Sequence, residues 1–159
     1  MKTAIIYASK HGCTDKCAHT LANELNNNAV LINLDVSTDV NFDEFNTVII
    51  GGSIHAGSMN KKIKKFTEKS IDLLNQKKTG LFICCMEEED EKVLEQFQNA
   101  YPESLRNKAI AHGFFGGEFN FDKMNFFEKA IIKKIAKTDQ NVSKINYNNI
   151  KEFAQKISV

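Results

Sequence analysis

Apolar positions along the chain fall into two rhythms. Apolar runs rich in β-branched residues at 3–8, 30–34, 47–50 and 80–85 predict strands, and a weaker run at 109–115 is interrupted by His112 and Gly113. The first, third and fourth runs are apolar almost throughout, as expected of strands covered on both faces in a parallel sheet. Between the runs the spacing changes to i, i+3, i+4, i+7. Ala18, Leu21, Ala22 and Leu25 form one such stripe, and Ile63, Phe66, Ser70, Leu73 and Leu74 a second. Val93, Leu94, Phe97 and Tyr101 form a third, and Ile150, Phe153, Ala154 and Ile157 the last. Each predicts a helix docked on the sheet. Residues 35–46 are too few for a full crossover helix, so only a turn or two is expected around 42–45. Pro102 should close the third helix, and the asparagine-rich stretch 141–149 reads as a loose loop.

This alternation of strands and helices predicts an α/β fold, a doubly wound five-stranded parallel sheet with helices on both faces. At 159 residues and 42% hydrophobic, the chain suits one domain spanning 1–159. A net charge of +1 supplies no field that would gather nucleic acid. The seven lysines within 61–78 and the five consecutive acids Glu87 to Glu91 read as solvated faces.

The four cysteines, Cys13, Cys17, Cys84 and Cys85, fit neither a paired zinc pattern nor a secreted disulfide framework. A reduced cytoplasmic setting and no metal site are therefore expected. Cys84 and Cys85 are adjacent on a strand, point to opposite faces and read as small core residues. Cys13 and Cys17, four apart, share a helix face and read as packing. A strand-like run follows Met1 almost at once, so no leader is expected, and no apolar stretch approaches the ~20 residues of a membrane span.

In a doubly wound sheet, ligands bind outside the carboxyl ends of the strands. Three loops leave such ends: SKHGCT after the first strand, GGSIHAGSMN after the third and CMEEED after the fourth. Ser9, Gly12 and Thr14 offer hydroxyls and a close backbone approach at a helix N-terminus, which favours a phosphate. Ser53, Gly57 and Ser58 are placed to line a second edge of the same pocket. The first loop lacks both G-x-G-x-x-G and G-x-x-x-x-G-K-[ST], which leaves a mononucleotide with one terminal phosphate.

The stretch IIYASKHGCTDKCAHTLANEL resembles the phosphate-binding opening of flavodoxins, where a strand enters a Ser/Thr-x-x-Gly-x-Thr loop and then a helix. FDEFNTVIIGGSIHAGSMNKKIKKFTEK is similar to the second flavin loop of one branch, the menaquinone-dependent protoporphyrinogen oxidases. HGFFGGEFNFDKMNFFEKAIIKKIAK and INYNNIKEFAQKI continue the likeness to the end of the chain. The resemblance implies the strand order 2-1-3-4-5 and FMN as cofactor. It also implies that Ser9, Lys10, His11, Gly12, Cys13 and Thr14 wrap the phosphate. Ser53, Ile54, His55, Ala56, Gly57 and Ser58 would border the isoalloxazine ring, with Cys85, Met86 and Glu87 on its other side. His55, the titratable side chain of the second loop, is the candidate proton donor.

Two readings of the chemistry follow from that likeness. One is an FMN-dependent oxidoreductase passing electrons from a small organic substrate to a quinone. The other is an electron-transfer flavodoxin that docks on redox proteins and has no substrate of its own. Neither SIHAGS nor CMEEE carries the aromatic residues that flank the flavin in typical flavodoxins, so access to the ring should be easier. Residues 123–137 are apolar over more than one face with lysines at the edges, which suits contact with an anionic membrane surface where a quinone would be met. The acids at 87–91 would instead repel the propionates of a porphyrinogen.

Overall fold

The computed structural model describes residues 2–159. The chain runs through β1 (Thr3–Tyr7), α1 (Cys13–Glu24), β2 (Ala29–Asn33), a short 3-10 helix at Phe42–Glu44, matched later by another at Phe121–Lys123, and β3 (Thr47–His55). It continues through β4 (Ser58–Met59), α2 (Lys61–Lys69), α3 (Ile71–Leu74), β5 (Lys78–Cys84), α4 (Asp90–Ala100) and α5 (Glu103–Lys108). The last part holds β6 (Ala111–Phe114), β7 (Glu118–Phe119), α6 (Phe126–Ala136), β8 (Val142–Ser143) and α7 (Tyr147–Ser158). The long strands are ordered β2-β1-β3-β5-β6, and every neighbouring pair is parallel. This is the expected 2-1-3-4-5 sheet.

Alternation along the buried strands divides the core in two. Ala4, Ile6, Val48, Ile50, Leu81 and Ile83 face one side, where Ile63, Phe66, Phe97 and Leu105 from α2, α4 and α5 cover them. Ile5, Tyr7, Ile49, Phe82 and Cys84 face the other, beneath α1 and α7. Each fully buried Ile, Leu or Phe contributes roughly 1.5–3 kcal/mol through removal from water. A polar group in this core needs a partner, and the Tyr101 hydroxyl has one: it donates to Phe82 O at 2.6 Å, with Ile50 O at 3.1 Å.

The structure departs from the sequence expectations where polar residues are held by backbone pairing. β3 does not stop at Ile50 but runs on to His55, because Ile54 and His55 pair with Met59 and Ser58 of β4. Ala56 and Gly57 between them have φ of 48° and 76°, as a two-residue hairpin turn matched to strand twist requires. The second of the three loops is therefore a hairpin. The helix expected through Leu74 breaks at Ser70 into α2 and α3. Pro102 ends α4 as expected, yet it also stands at the N-cap of α5, which has a single buried residue, Leu105. The asparagine-rich stretch is not loose. It forms β8, and the Asn146 side chain then accepts from Asn149 N–H at 3.0 Å to start α7.

Residues 117–144 leave the sheet and return to the point of departure, closed by Lys144 N–H on Gly117 O (2.8 Å) and Asn146 N–H on Phe115 O (2.9 Å). α6 lies within this excursion and has no buried residue. A side chain at Gly117 would meet the backbone of Cys85 at 2.7 Å, so only glycine lets the excursion start against the loop that follows β5.

Candidate functional site

The loop from Ser9 to Gly12 turns β1 into α1 through Gly12, whose φ of 93° is left-handed. α1 has no side-chain cap, so the N–H groups of its first turn face outward without a local oxygen. The Ser9 hydroxyl accepts from Gly12 N–H at 3.1 Å and braces the loop from within. Thr14 is buried, and its Oγ1 has no hydrogen-bond partner. The first turn of α1 thus holds uncapped amides, the positive end of a helix dipole and a hydroxyl without a partner, a setting in which an anion is stabilised.

A carboxylate that the sequence did not single out tethers this loop. Ser9 N–H donates to Asp35 Oδ2 at 2.8 Å, and Asp35 Oδ1 pairs with Lys62 Nζ of α2 at 2.6 Å. Burial alone would raise the Asp35 pKa, but Lys62 and the Ser9 amide outweigh it and hold it below the ordinary carboxylate value. The one available sign was position: Asp35 lies just past the end of β2, beside β1 in the sheet.

β1 and β3 are neighbours, which brings the first loop against the hairpin. The His11 and His55 rings meet edge to face at 5.5 Å, and His55 Nε2 lies 3.0 Å from Ser53 Oγ. Although the His55 residue as a whole is exposed, its ring is partly withdrawn from water by these neighbours. That withdrawal, and then the charge of His11 and Lys10, lowers its pKa. Both effects disfavour the imidazolium, so the neutral ring is the working form at neutral pH.

From the other side the excursion closes over the first loop. Glu128, in the first turn of α6, places Oε2 2.5 Å from His11 Nε2 and Oε1 3.4 Å from Lys10 Nζ. The His11 contact is an ion-pair distance without hydrogen-bond alignment, since Nε2 is otherwise unpartnered. Burial would raise the Glu128 pKa, yet His11 and Lys10 hold it below the ordinary value. Lys123 also reaches the loop, with Nζ 2.6 Å from where a Gly12 side chain would begin. Three basic side chains and one acid therefore rim the cradle. Lys123 and Glu128 were hidden because they lie far along the chain, in a segment whose pattern suggested a surface helix.

β5 pairs with β3 through Ser53 and Cys84, so Cys85, Met86 and Glu87 emerge beside the hairpin. Cys85 is buried on the sheet face opposite Cys84, as the alternation predicts. The acids of this loop stay largely exposed while several of them find partners within the fold. Glu87 Oε1 accepts from Glu89 N–H and Glu88 N–H, both at 3.0 Å, and these bonds hold its pKa below the usual value. Glu88 pairs with Lys144 at 2.8 Å, while Asp90 and Glu91 sit in the first turn of α4, where the helix dipole favours them.

Cys13 and Cys17 do share a face of α1, and Cys84 joins them from β5. The three sulfurs lie within 4.8 Å of one another. Thiol hydrogen bonds from Cys17 and then Cys84 hold Cys13 below the usual thiol range, while Cys17 and Cys84 are pushed up. Sequence spacing could not show this meeting, because the third thiol comes from another element.

A parallel doubly wound sheet with an uncapped helix at its first strand end, a hairpin at the next and a third loop beside it defines an α/β protein of the flavodoxin-like fold. The model of the flavodoxin domain family matches residues 4–145, and the chain belongs to that family. No curated protein matches the sequence. Among solved structures it is similar to oxidised flavodoxin 1 from Bacillus cereus, with 12% identity and TM-score 0.59 over 99% of this chain and 97% of that one. It also resembles the flavodoxin of Streptococcus pneumoniae TIGR4, with 18% identity and TM-score 0.58 over 99% and 98% of the two chains. A flavodoxin from the domain Archaea shares 15% identity and TM-score 0.51 over the whole of both chains. At such identities the likeness is one of fold. The family match does not distinguish the protoporphyrinogen oxidase branch from others.

Proposed function

We propose that the protein is an FMN-binding redox protein. The observation that carries this is the cradle at the start of α1: left-handed Gly12, uncapped amides and the buried Thr14 hydroxyl with no partner. A phosphate oxygen supplies the acceptor that Thr14 lacks, and the amides with Lys10, His11 and Lys123 balance the dianion without a metal. Ser9 to Thr14 then hold the phosphate, residues 53–58 form one wall of the ring site, and Cys85, Met86 and Glu87 form the other. When bound, FMN supplies the electron chemistry. The chain positions it, and His55, neutral and oriented by Ser53, is placed to accept or return a proton at the rim.

The finer reading is an FMN-dependent oxidoreductase of protoporphyrinogen-oxidase type that delivers electrons to a quinone. α6 supports it: Phe126, Phe127, Ile131 and Ile135 are all exposed beside lysines, a surface suited to an anionic lipid face. No helix among the described residues is long and apolar enough to cross a membrane. The electron-carrier alternative draws on the acids of 87–91, which offer a basic redox partner a place to dock beside the ring.

The test is direct. Purified protein should take up FMN stoichiometrically with a flavin spectrum, and failure to bind added FMN overturns both readings. FMN-loaded protein mixed anaerobically with protoporphyrinogen, then with a menaquinone analogue, should lose and regain flavin absorbance. No loss with the porphyrinogen leaves the carrier.

A further inference from the structure

Three of the four cysteines in this chain meet under the anion cradle, although they come from two different elements. Cys13 and Cys17 stand one turn apart on α1, and Cys84 ends β5 on the sheet face that α1 covers. We propose that Cys13, Cys17 and Cys84 form a trigonal, all-sulfur site for a soft monovalent metal ion of the copper(I) class.

The geometry matches that ion. Three sulfurs around one ion at metal–sulfur distances of about 2.3 Å stand roughly 4 Å apart, and these three already lie within 4.8 Å of one another. Their carriers are fixed, since Cys17 is 0% and Cys84 2% exposed. Closing the triangle from at most 4.8 Å to about 4 Å is a side-chain adjustment.

The donor set selects the ion class. The thiols belong to the apolar cluster beneath α1 and α7, which includes Ala18, Phe82, Phe115 and Phe153 with Tyr7, whose hydroxyl donates to Asp15 at 2.6 Å. A structural zinc site requires a fourth ligand; the acid whose charge reaches Cys13 and Cys17 is Glu118, and both its oxygens are taken by Lys16 Nζ at 3.0 and 2.9 Å. Soft thiolates in a three-coordinate, water-poor pocket favour copper(I) over harder divalent ions. Binding is not a redox step: the ion enters already monovalent, each metal–thiolate bond replaces an S–H, and the proton leaves to solvent.

Cys13 provides the way in. It alone of the three reaches the surface, 9% exposed, at the first residue of α1 beneath Gly12. The ion would thus enter through the loop that forms the cradle and settle behind it. This inference does not depend on flavin binding, since the sulfurs lie on the inner side of α1.

The experiment is an anaerobic titration of the reduced full-length protein with copper(I) against a chromogenic copper(I) chelator. One equivalent per chain should be withheld from the chelator, with a sulfur-to-copper absorption band in the near ultraviolet. X-ray absorption should show three sulfurs at about 2.3 Å. Cys13→Ser, at the solvent edge, and Cys84→Ala should each lower the affinity about 100-fold or more, and a chain retaining only Cys85 should withhold none. Copper left entirely with the chelator overturns the proposal. So does a two-sulfur site shared between chains, or equal binding by the chain retaining only Cys85. If a variant does not fold, the sulfur number in the unaltered protein decides.

Discussion

Asp35 Oδ2 accepts the backbone N–H of Ser9 at 2.8 Å, so the first residue of the cradle is held by a carboxylate from the neighbouring strand end. The same carboxylate pairs with Lys62 and thereby ties the cradle to α2. Asp35→Ala should release the loop and weaken FMN binding roughly tenfold, with a smaller effect on riboflavin, as expected for loss of a charge-assisted hydrogen bond. The sign of the pH effect follows from the lowered folded-state pKa. The tether contributes stability that is present above the unfolded value of about 3.9 and is lost as pH falls through the folded value. Urea midpoints measured at neutral and acid pH should therefore converge for the unaltered protein and Asp35→Ala as the pH drops. A gap that stays constant with pH rules out this role for the charge.

Thr14 tests the phosphate assignment. Its hydroxyl is buried without a partner, so Thr14→Val costs the empty fold nothing it had. It should cost FMN a hydrogen bond to a charged group, about 1.5–3 kcal/mol or roughly 10- to 100-fold in affinity. Riboflavin, which lacks the phosphate, should bind both forms alike. Equal weakening of both ligands reduces Thr14 to packing beneath the helix.

How far these residues could be read from the sequence depended on what held them. The sheet was legible because its strands are apolar on both faces: Ile5 and Ile6, or Leu81 and Phe82, leave little else for the chain to do there. The first loop was legible because Gly12 and the hydroxyls around it are local signals. Asp35, Lys62, Lys123 and Glu128 were not, since each acts across a long sequence separation through one or two contacts. β4 and β8 escaped notice because their pairing rests on backbone hydrogen bonds that two-residue strands do not mark with apolar periodicity. α6 stood out by its pattern, but nothing in that pattern says that its first turn closes over the cradle.

Glu128 places a negative charge where the phosphate would be attracted. Glu128→Gln removes it and frees Lys10 and His11 for the ligand. FMN affinity should rise about two- to fivefold at low ionic strength, the range of a partly exposed ion pair, and the gain should fade as salt is added. Weaker binding in this variant would instead show that Glu128 serves the site by holding the loop in place.

His55 should titrate below the ordinary histidine value of about 6.5 in an NMR pH titration of the ligand-free protein. Removal from water is the first cause, and because the His11 ring packs edge to face on His55, Lys10→Gln is the cleaner test of charge. The charges of His11 and Lys10 come next, so His11→Gln or Lys10→Gln should move the His55 midpoint back up part of the way. A midpoint unmoved by either change assigns the whole shift to burial. The consequence for chemistry is a neutral imidazole across physiological pH, able to accept a proton at the rim and to return it.

α6 offers the clearest test of where the protein works. Its Phe126 and Phe127 are 80% and 76% exposed, and Ile135 is 73% exposed. Lys129, Lys133, Lys134 and Lys137 lie on the same helix or at its end. Apolar side chains left in water beside several lysines suit a surface that is both greasy and anionic, and each lysine near such a surface contributes about 1 kcal/mol. FMN-loaded protein should sediment with phosphatidylglycerol vesicles, be released by high salt, and ignore phosphatidylcholine. The paired change Phe126→Ser with Phe127→Ser touches no buried side chain, so it should leave thermal stability unchanged while reducing sedimentation severalfold. Reduction of a menaquinone embedded in those vesicles should fall in parallel, whereas reduction of a water-soluble quinone should not. If both rates fall together, α6 supports the flavin site itself; if neither falls, the electrons leave by another face.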